Sequence, residues 1–320
     1  MKITDSCPNK TVIITGANTG LGYECAKSVA KSCLDRHIVI AGRNMERVSR
    51  ASGQIKKETG MESVSAMLLD LASISSIRKF VSNYLNAGLP LLDCLICNAG
   101  VHPGRTIHIT RDGYEAAFGV NYLGHFLLTN LLLPNMTDCA RIIMVSSRTH
   151  DYRDVSPFPK PVYKAPAILA KPLPPRGETV QAFAGRAYSN SKLCLTMFAF
   201  ELERRLRDTG KKISVNVFDP GGMVTDLTRD YNPAVKVMMR GVWPAVRLLP
   251  NMSTSKNSAA FMAELAVSDK FKGISGKYFS MIGSYKKGAM EAEPSPLVFD
   301  REKTNELWAG SEELVAQPKD

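Results

Sequence analysis

Apolar positions follow two rhythms that alternate along the first half of the chain. Short runs at residues 11–15, 37–41, 64–69, 91–97 and 141–146 are apolar almost throughout, the pattern of strands covered on both faces. Between them, residues 21–33, 45–59, 74–86 and 111–133 space apolar side chains three and four apart, which gathers them on one helical face. Strand, helix, strand at this pace predicts βαβ units and an α/β fold: a doubly wound parallel sheet of about seven strands with helices on both faces. The rhythm stops over residues 150–180, where prolines stand at 157, 159, 161, 166, 172, 174 and 175; this reads as an inserted loop or polyproline segment. Patterning resumes with a helix over 185–208, a strand over 212–218, a Pro/Gly break at 219–222 and a helix over 254–267. With no repeat and no second apolar core, a single domain over residues 1–320 is expected.

The first strand runs into Thr15-Gly16-Ala17-Asn18-Thr19-Gly20-Leu21-Gly22 and then the first helix. In that setting Gly16 permits a sharp turn, Gly20 a close backbone approach to a pyrophosphate, and Gly22 tight helix–strand packing. The free N–H groups and dipole of the helix N-terminus favour the phosphates. The second strand should end beside the adenosine ribose. Asp35 precedes that strand and so lies at the wrong end of the sheet, whereas Arg43 follows its carboxyl end. A guanidinium fork there suits a 2′-phosphate, so NADP(H) is the expected cofactor.

Tyr188 and Lys192 are four residues apart on the helix expected over 185–208, which stacks them on one face. A tyrosine with an ordinary pKa near ~10 is a poor base at neutral pH. A neighbouring ammonium favours the phenolate and lets the residue exchange a proton with an alcohol or carbonyl oxygen. Ser146-Ser147 closes the preceding strand and offers a hydroxyl to the same oxygen.

With these pieces in place the chain resembles the short-chain dehydrogenase/reductase family over nearly its whole length. The matching stretches are residues 15–22, Asp70-Leu71, Asn98-Ala99-Gly100, Asn121 in VNYLGHF, VSS at 145–147, YSNSK at 188–192 and DPGGMVT at 219–225. The resemblance implies a Rossmann-type fold and a division of labour. Tyr188 would be the general acid/base. Lys192 would hold the nicotinamide ribose and depress the tyrosine pKa. Ser147 would orient the substrate, with Ser146 packed below it. Asn121 would support a water linking Lys192 to solvent. Gly16, Asn18, Thr19, Gly20, Leu21 and Gly22 would cradle the dinucleotide. Asp70 and Leu71 would flank the adenine, and Ala99 and Gly100 would lie against the cofactor. Asn98 would touch the adenosine-side ribose or stabilise the central strand. Pro220, Gly221 and Thr225 would bind the nicotinamide end. Within the family, residues 111–115, 121–126 and 307–315 resemble retinol dehydrogenases and protochlorophyllide reductases, although Gly222 stands where the latter carry a cysteine. The function so implied is hydride transfer between the nicotinamide and a carbonyl or alcohol of a bulky lipophilic substrate. The alternatives are reduction of a carbon–carbon double bond and a non-catalytic NADP-binding scaffold.

Composition narrows the setting. Forty-one Lys and Arg against 30 Asp and Glu give a net charge of +11. The basic residues are scattered without interleaved aromatics, so nucleic-acid binding is not expected. Seven cysteines at irregular spacing read as reduced thiols. Cys94 and Cys97, on one strand and three apart, should pack on opposite faces rather than hold a metal. No apolar run reaches the ~18 residues of a membrane span, and residues 1–6 lack the apolar core of a signal peptide; a cytoplasmic protein is expected. Residues 222–252 fall where this fold places a substrate lid. Their stretch 235–250 mixes Met, Trp, Val and Leu with three basic residues, suited to a lipophilic ligand or to a peripheral membrane contact. Residues 285–320 form a C-terminal tail. His125 reads as a structural histidine, and His150 as either a loop residue or one reaching the substrate mouth. The resemblance also implies that a homodimer could form through the helix carrying Tyr188, as is often so in the family, an association the insertion could block.

Overall fold

The apolar runs form the strands they predict. A computed structural model describes residues 9–33, 35–102, 106–156, 158–222, 252–281 and 288–316. In it β1 (Lys10–Thr15), β2 (Arg36–Gly42), β3 (Val64–Leu68), β4 (Leu92–Cys97), β5 (Met136–Val145), β6 (Ser214–Asp219), β7 (Lys277–Ser280) and β8 (Met290–Ala292) make one sheet in the order β3-β2-β1-β4-β5-β6-β7-β8. Neighbours through β7 are parallel, and β8 returns antiparallel to β7. Eight strands thus stand where about seven were expected. The last two are short, and β8 exposes Met290 and Glu291 at the sheet edge, so neither leaves an apolar run in the sequence.

Alternation along each strand feeds two cores. Val12, Ile14 and Cys94 face α1 (Gly20–Ser32), α2 (Met45–Thr59) and α7 (Ser255–Val267). Ile13, Leu95 and Cys97 face α3 (Ile74–Leu85), α4 (Gly124–Leu132), α6 (Val180–Asp208) and α8 (Arg301–Ala316). Cys94 and Cys97 are therefore core residues on opposite faces, as their odd spacing requires.

One predicted helix is corrected. Over 111–115 the chain makes a turn closed by Gly113 N–H on the Thr110 carbonyl at 3.0 Å, with Gly113 at φ +80°. Helical structure begins at Ala116. The buried Glu115 carboxylate accepts the N–H groups of Ala117 (2.9 Å) and Phe118 (2.7 Å) and so caps it. Burial of that carboxyl pushes its pKa up, because the low-dielectric core disfavours the charge. Residues Phe118–Leu123 then form a π turn in which Gly124 N–H reaches back to the carbonyl of Gly119, one residue further than in an α-helix.

The proline-rich insertion, which contains the short helix α5 (Pro166–Leu169), is packed rather than loose. A Cβ added to Gly185 on α6 would meet Pro159 at 2.8 Å, and one on Gly310 of α8 would meet Pro166 at 2.9 Å. The Tyr163 hydroxyl donates to the Lys303 carbonyl (3.0 Å), and Glu115 N–H donates to the Ala170 carbonyl (2.8 Å). The insertion also lends Thr179, whose hydroxyl caps α6 at Ala182 N–H (3.2 Å), so that helix starts at 180 rather than 185. Among the described residues, no helix is long and apolar enough to cross a membrane.

Candidate active site

Strand order reverses between β1 and β4, and ligands of such sheets lie outside the carboxyl ends of the strands at that point. Gly16 (φ +67°) and Gly20 (φ +59°) both take the left-handed backbone that side chains disfavour. A Cβ on Gly16 would sit 2.9 Å from Ala99 Cα, so the β1 and β4 turns touch across the switch point. A Cβ on Gly22 would fall 2.5 Å from Asn98 Nδ2. A Cβ on Gly20 would meet nothing within 4 Å, leaving the backbone open before α1. Thr19 is the N-cap of α1, Leu21 follows in the first turn, and that turn carries no acidic residue, so the positive end of the helix is not offset. These observations fit a dinucleotide pyrophosphate.

The remaining cofactor candidates group around this turn. Asn98 Nδ2 donates to the carbonyls of Thr15 (2.8 Å) and Gly16 (3.4 Å), which is the strand-stabilising half of its expected role. Asn18 Oδ1 lies 3.3 Å from where a Gly42 Cβ would be, joining the turn to the end of β2. Arg43 follows immediately and is exposed. Asp70 Oδ1 accepts Ala72 N–H (3.1 Å), while Leu71 is buried in the core. Pro220 accepts the Ser258 hydroxyl on its carbonyl (2.8 Å), and Gly221, at φ +73°, donates its N–H to Asp219 Oδ1 (3.0 Å). Thr225 and nearly all of the expected lid, including 235–250, lie outside the described residues.

Beyond the phosphate turn, α6 delivers Tyr188 and Lys192 one turn apart, with Lys192 Nζ 5.8 Å from the tyrosine ring centre. Lys192 is buried, and its ammonium donates to the Val145 carbonyl at the end of β5 (2.9 Å). Loss of hydration lowers its pKa to about 8, opposed by the Asp219 carboxylate. Ser146 is buried against Thr196 Oγ1 (2.8 Å) and the Lys192 carbonyl (3.3 Å). Ser147, the next residue, is half-buried and opens a short 3₁₀ turn. Asn121 accepts Val101 N–H on Oδ1 (2.7 Å) and donates from Nδ2 to the Val101 carbonyl (3.1 Å) and Ser191 Oγ (3.0 Å). A Cβ on Gly100 would lie 3.2 Å from Asn121 Oδ1 and 3.8 Å from Lys192 Nζ. Tyr188, Lys192 and Asn121 thus gather where β4 and β5 end, and Ser147 closes β5 beside them.

Two histidines hold this frame. His125 Nδ1 lies 3.0 Å from the Asn121 carbonyl and Nε2 lies 3.0 Å from Thr15 Oγ1. A carbonyl can only accept, so Nδ1 carries the proton and Nε2 accepts from the threonine. Thr15 Oγ1 in turn accepts the N–H groups of Asn98 (3.0 Å) and Ala99 (2.9 Å). Burial lowers the His125 pKa to about 4, keeping it neutral and structural, as expected. His150 does not reach the substrate mouth. It is buried, donates from Nδ1 to the Ser147 carbonyl (2.8 Å) and accepts Ser295 N–H on Nε2 (3.1 Å). It therefore fixes the turn that bears Ser147.

Sequence reasoning missed the walls. His102 packs its ring 5.0 Å from that of Tyr188, Phe158 lies 5.8 Å from it, and the two meet edge-to-face at 5.0 Å. His102 was within reach, since it follows Asn98-Ala99-Gly100-Val101 at the carboxyl end of β4. Phe158 was not, because nothing local ties the insertion to Tyr188.

Comparison with known proteins agrees with this geometry. Residues 10–159 match the short chain dehydrogenase family pattern. The chain is 37% identical to retinol dehydrogenase 13 of Mus musculus, over 96% of this chain and 84% of that protein. It is 33% identical to polyprenol dehydrogenase of Homo sapiens, over 96% and 86% respectively. Among solved structures, an uncharacterised protein of Mycobacterium paratuberculosis superimposes with a TM-score of 0.69 at 26% identity, over 98% of this chain and 97% of that one. L-sorbose reductase of Gluconobacter frateurii, complexed with NADPH and L-sorbose, shares the fold with a TM-score of 0.62 at 21% identity, over 88% of this chain and 98% of that one. The chain belongs to the short-chain dehydrogenase/reductase family, in its retinol dehydrogenase-like branch, and is an oxidoreductase acting on CH–OH or C=O groups.

Proposed function

We propose that the protein uses NADP(H) to interconvert a carbonyl and an alcohol on a bulky, mainly apolar substrate of retinal, steroid or long aldehyde type. The observation that carries this is the buried Lys192 ammonium under the Tyr188 ring, pinned to the Val145 carbonyl beside Ser147. A bound nicotinamide supplies the hydride donor or acceptor. In reduction Tyr188 gives its hydroxyl proton to the substrate oxygen, and the Lys192 charge stabilises the phenolate left behind. Ser147 donates to the same oxygen. Asn121 ties the β4 loop to α6 and supports return of the proton. Arg43, exposed past the end of β2, favours NADP(H) over NAD(H). The names of the relatives point to lipophilic alcohols, and the Phe158 ring, with the His102 ring edge-to-face against it, offers an aromatic wall for such a chain. The test is Tyr188→Phe, assayed by NADPH consumption against lipophilic aldehydes and ketones. Turnover should vanish while NADPH affinity stays nearly intact. Activity within a few-fold of wild type would refute the assignment.

A further inference from the structure

Asp219 ends β6 as a buried carboxylate to which the reaction described above gives no part. Its position follows from register. Val145 pairs with Phe218, and Ser146 N–H donates to the Phe218 carbonyl (2.9 Å), so Asp219 stands beside the end of β5. Phe218 faces the α1, α2 and α7 core, and alternation turns Asp219 to the other face, which α6 covers. On that face the Ser146 hydroxyl donates to the Lys192 carbonyl (3.3 Å), and the Lys192 ammonium reaches the end of β5. Both carboxylate oxygens are engaged by neutral donors: Oδ1 accepts Gly221 N–H (3.0 Å) and Oδ2 accepts the Ser280 hydroxyl (2.8 Å). Among the described residues, the titratable groups that feel this carboxylate are Lys192 of α6, Arg148 and His150 of the 3₁₀ turn, and Tyr278 of β7. The acids nearby, Asp154 and Asp151, already hold Arg148 (2.8 Å) and Arg153 (2.9 Å) respectively. Burial disfavours the charged forms of His150 and Tyr278. Lys192 is therefore the cation left for Asp219 to balance, and this carboxylate opposes the loss of the lysine proton that burial promotes.

We propose that Asp219 is a positioning residue with two roles: its charge holds a proton on the Tyr188–Lys192 pair, and its oxygens fix the Pro220-Gly221 turn at the nicotinamide end. The inference rests on the proposed reaction and cofactor. A negative charge beside two coupled acids raises the pKa of both. Whichever of the pair releases its proton first, removing the charge lets that proton leave at lower pH. Reduction needs the proton in place and oxidation needs it gone, so the two pH profiles move the same way. Asparagine isolates this effect. It has the shape of aspartate, its Oδ1 still accepts Gly221 N–H, and the Ser280 hydroxyl can turn to accept from its Nδ2. Alanine removes the charge and the anchor of the turn together.

The experiment compares wild type, Asp219→Asn and Asp219→Ala in the full chain. At saturating NADPH, kcat/KM for carbonyl reduction is followed against pH, and its alkaline limb should lie about one unit lower in both variants. The ultraviolet absorbance of the Tyr188 phenolate, taken as the difference from the Tyr188→Phe form of each protein, should move down in the same way without any turnover. NADPH affinity in fluorescence titration should stay nearly unchanged in the asparagine variant and weaken about ten-fold in the alanine variant. Thermal melting shows which variants fold. Both carry the same charge change, so misfolding of one leaves the other to decide. A pH profile and a phenolate titration that do not move in a folded variant overturn the charge role. Equal NADPH affinity in all three proteins overturns the anchoring role. If wild type shows no Tyr188-dependent turnover, the proposed reaction fails, and the phenolate titration still decides for or against Asp219.

Discussion

Lys192→Met separates the electrostatic cost of the site from its packing. In the folded chain the lysine pKa falls from 10.5 to about 8 because the ammonium is buried. Unfolded, the side chain holds its proton up to the ordinary value. Between those two values the unfolded state binds more protons, so wild-type stability rises with pH. The difference amounts to about 3 kcal/mol of penalty at pH 7, of which about 2.5 kcal/mol is recovered by pH 10. Methionine fills similar volume with no charge and so escapes the penalty. It also strips the Val145 carbonyl of its donor, a cost of about 1–3 kcal/mol, but that cost does not change with pH. The assay is urea unfolding of both proteins at pH 7 and pH 10, followed by circular dichroism. The wild type should gain on the variant by about 2–3 kcal/mol over this range, while the variant loses turnover. Parallel pH dependence in the two proteins would show that the ammonium is not desolvated, and the argument for its effect on Tyr188 would fall with it.

The same linkage runs the other way in acid at His125, whose pKa is lowered to about 4. An unfolded histidine takes up its proton near pH ~6.5, so the fold should lose about 3 kcal/mol between pH 7 and pH 4 that His125→Gln does not lose; equal acid sensitivity in denaturant melts would contradict this. Gly22→Ala should cost upwards of about 2 kcal/mol, because its Cβ would fall 2.5 Å from Asn98 Nδ2. Gly53→Ala, in open space on α2, should add about 0.5–1 kcal/mol; thermal melts that fail to order the two would undo the packing analysis. Arg43→Ala should weaken NADPH far more than NADH in fluorescence titration, and equal losses would remove Arg43 from the 2′-phosphate.

What the sequence could convey tracks the range of the interactions. β1, β2 and β4 announce themselves because strands buried on both faces need apolar residues at nearly every position. The positions of Tyr188, Lys192 and Ser147 follow from where the strands end. The π turn at 118–123 does not, since its apolar spacing passes for an ordinary helix. Thr15 reads as one more strand former, yet its hydroxyl serves amides at Asn98 and Ala99 and the ring of His125. Nor does α8 advertise its docking. Trp308 packs against Phe126 (5.2 Å) and Phe198 (5.5 Å), and Arg205 stacks 4.0 Å over its ring, all partners distant in sequence.

The π turn also makes this stretch of chain a spacer of fixed length. Were the same residues wound as a regular α-helix, everything downstream would be turned by about 100° and displaced by about 1.5 Å. His125 would swing off Thr15 and Phe126 off Trp308. The wide turn thus takes up one residue and keeps both the cofactor turn and the aromatic core engaged. A further residue inserted along α4 would find no such turn to absorb it, and should disengage both contacts at once.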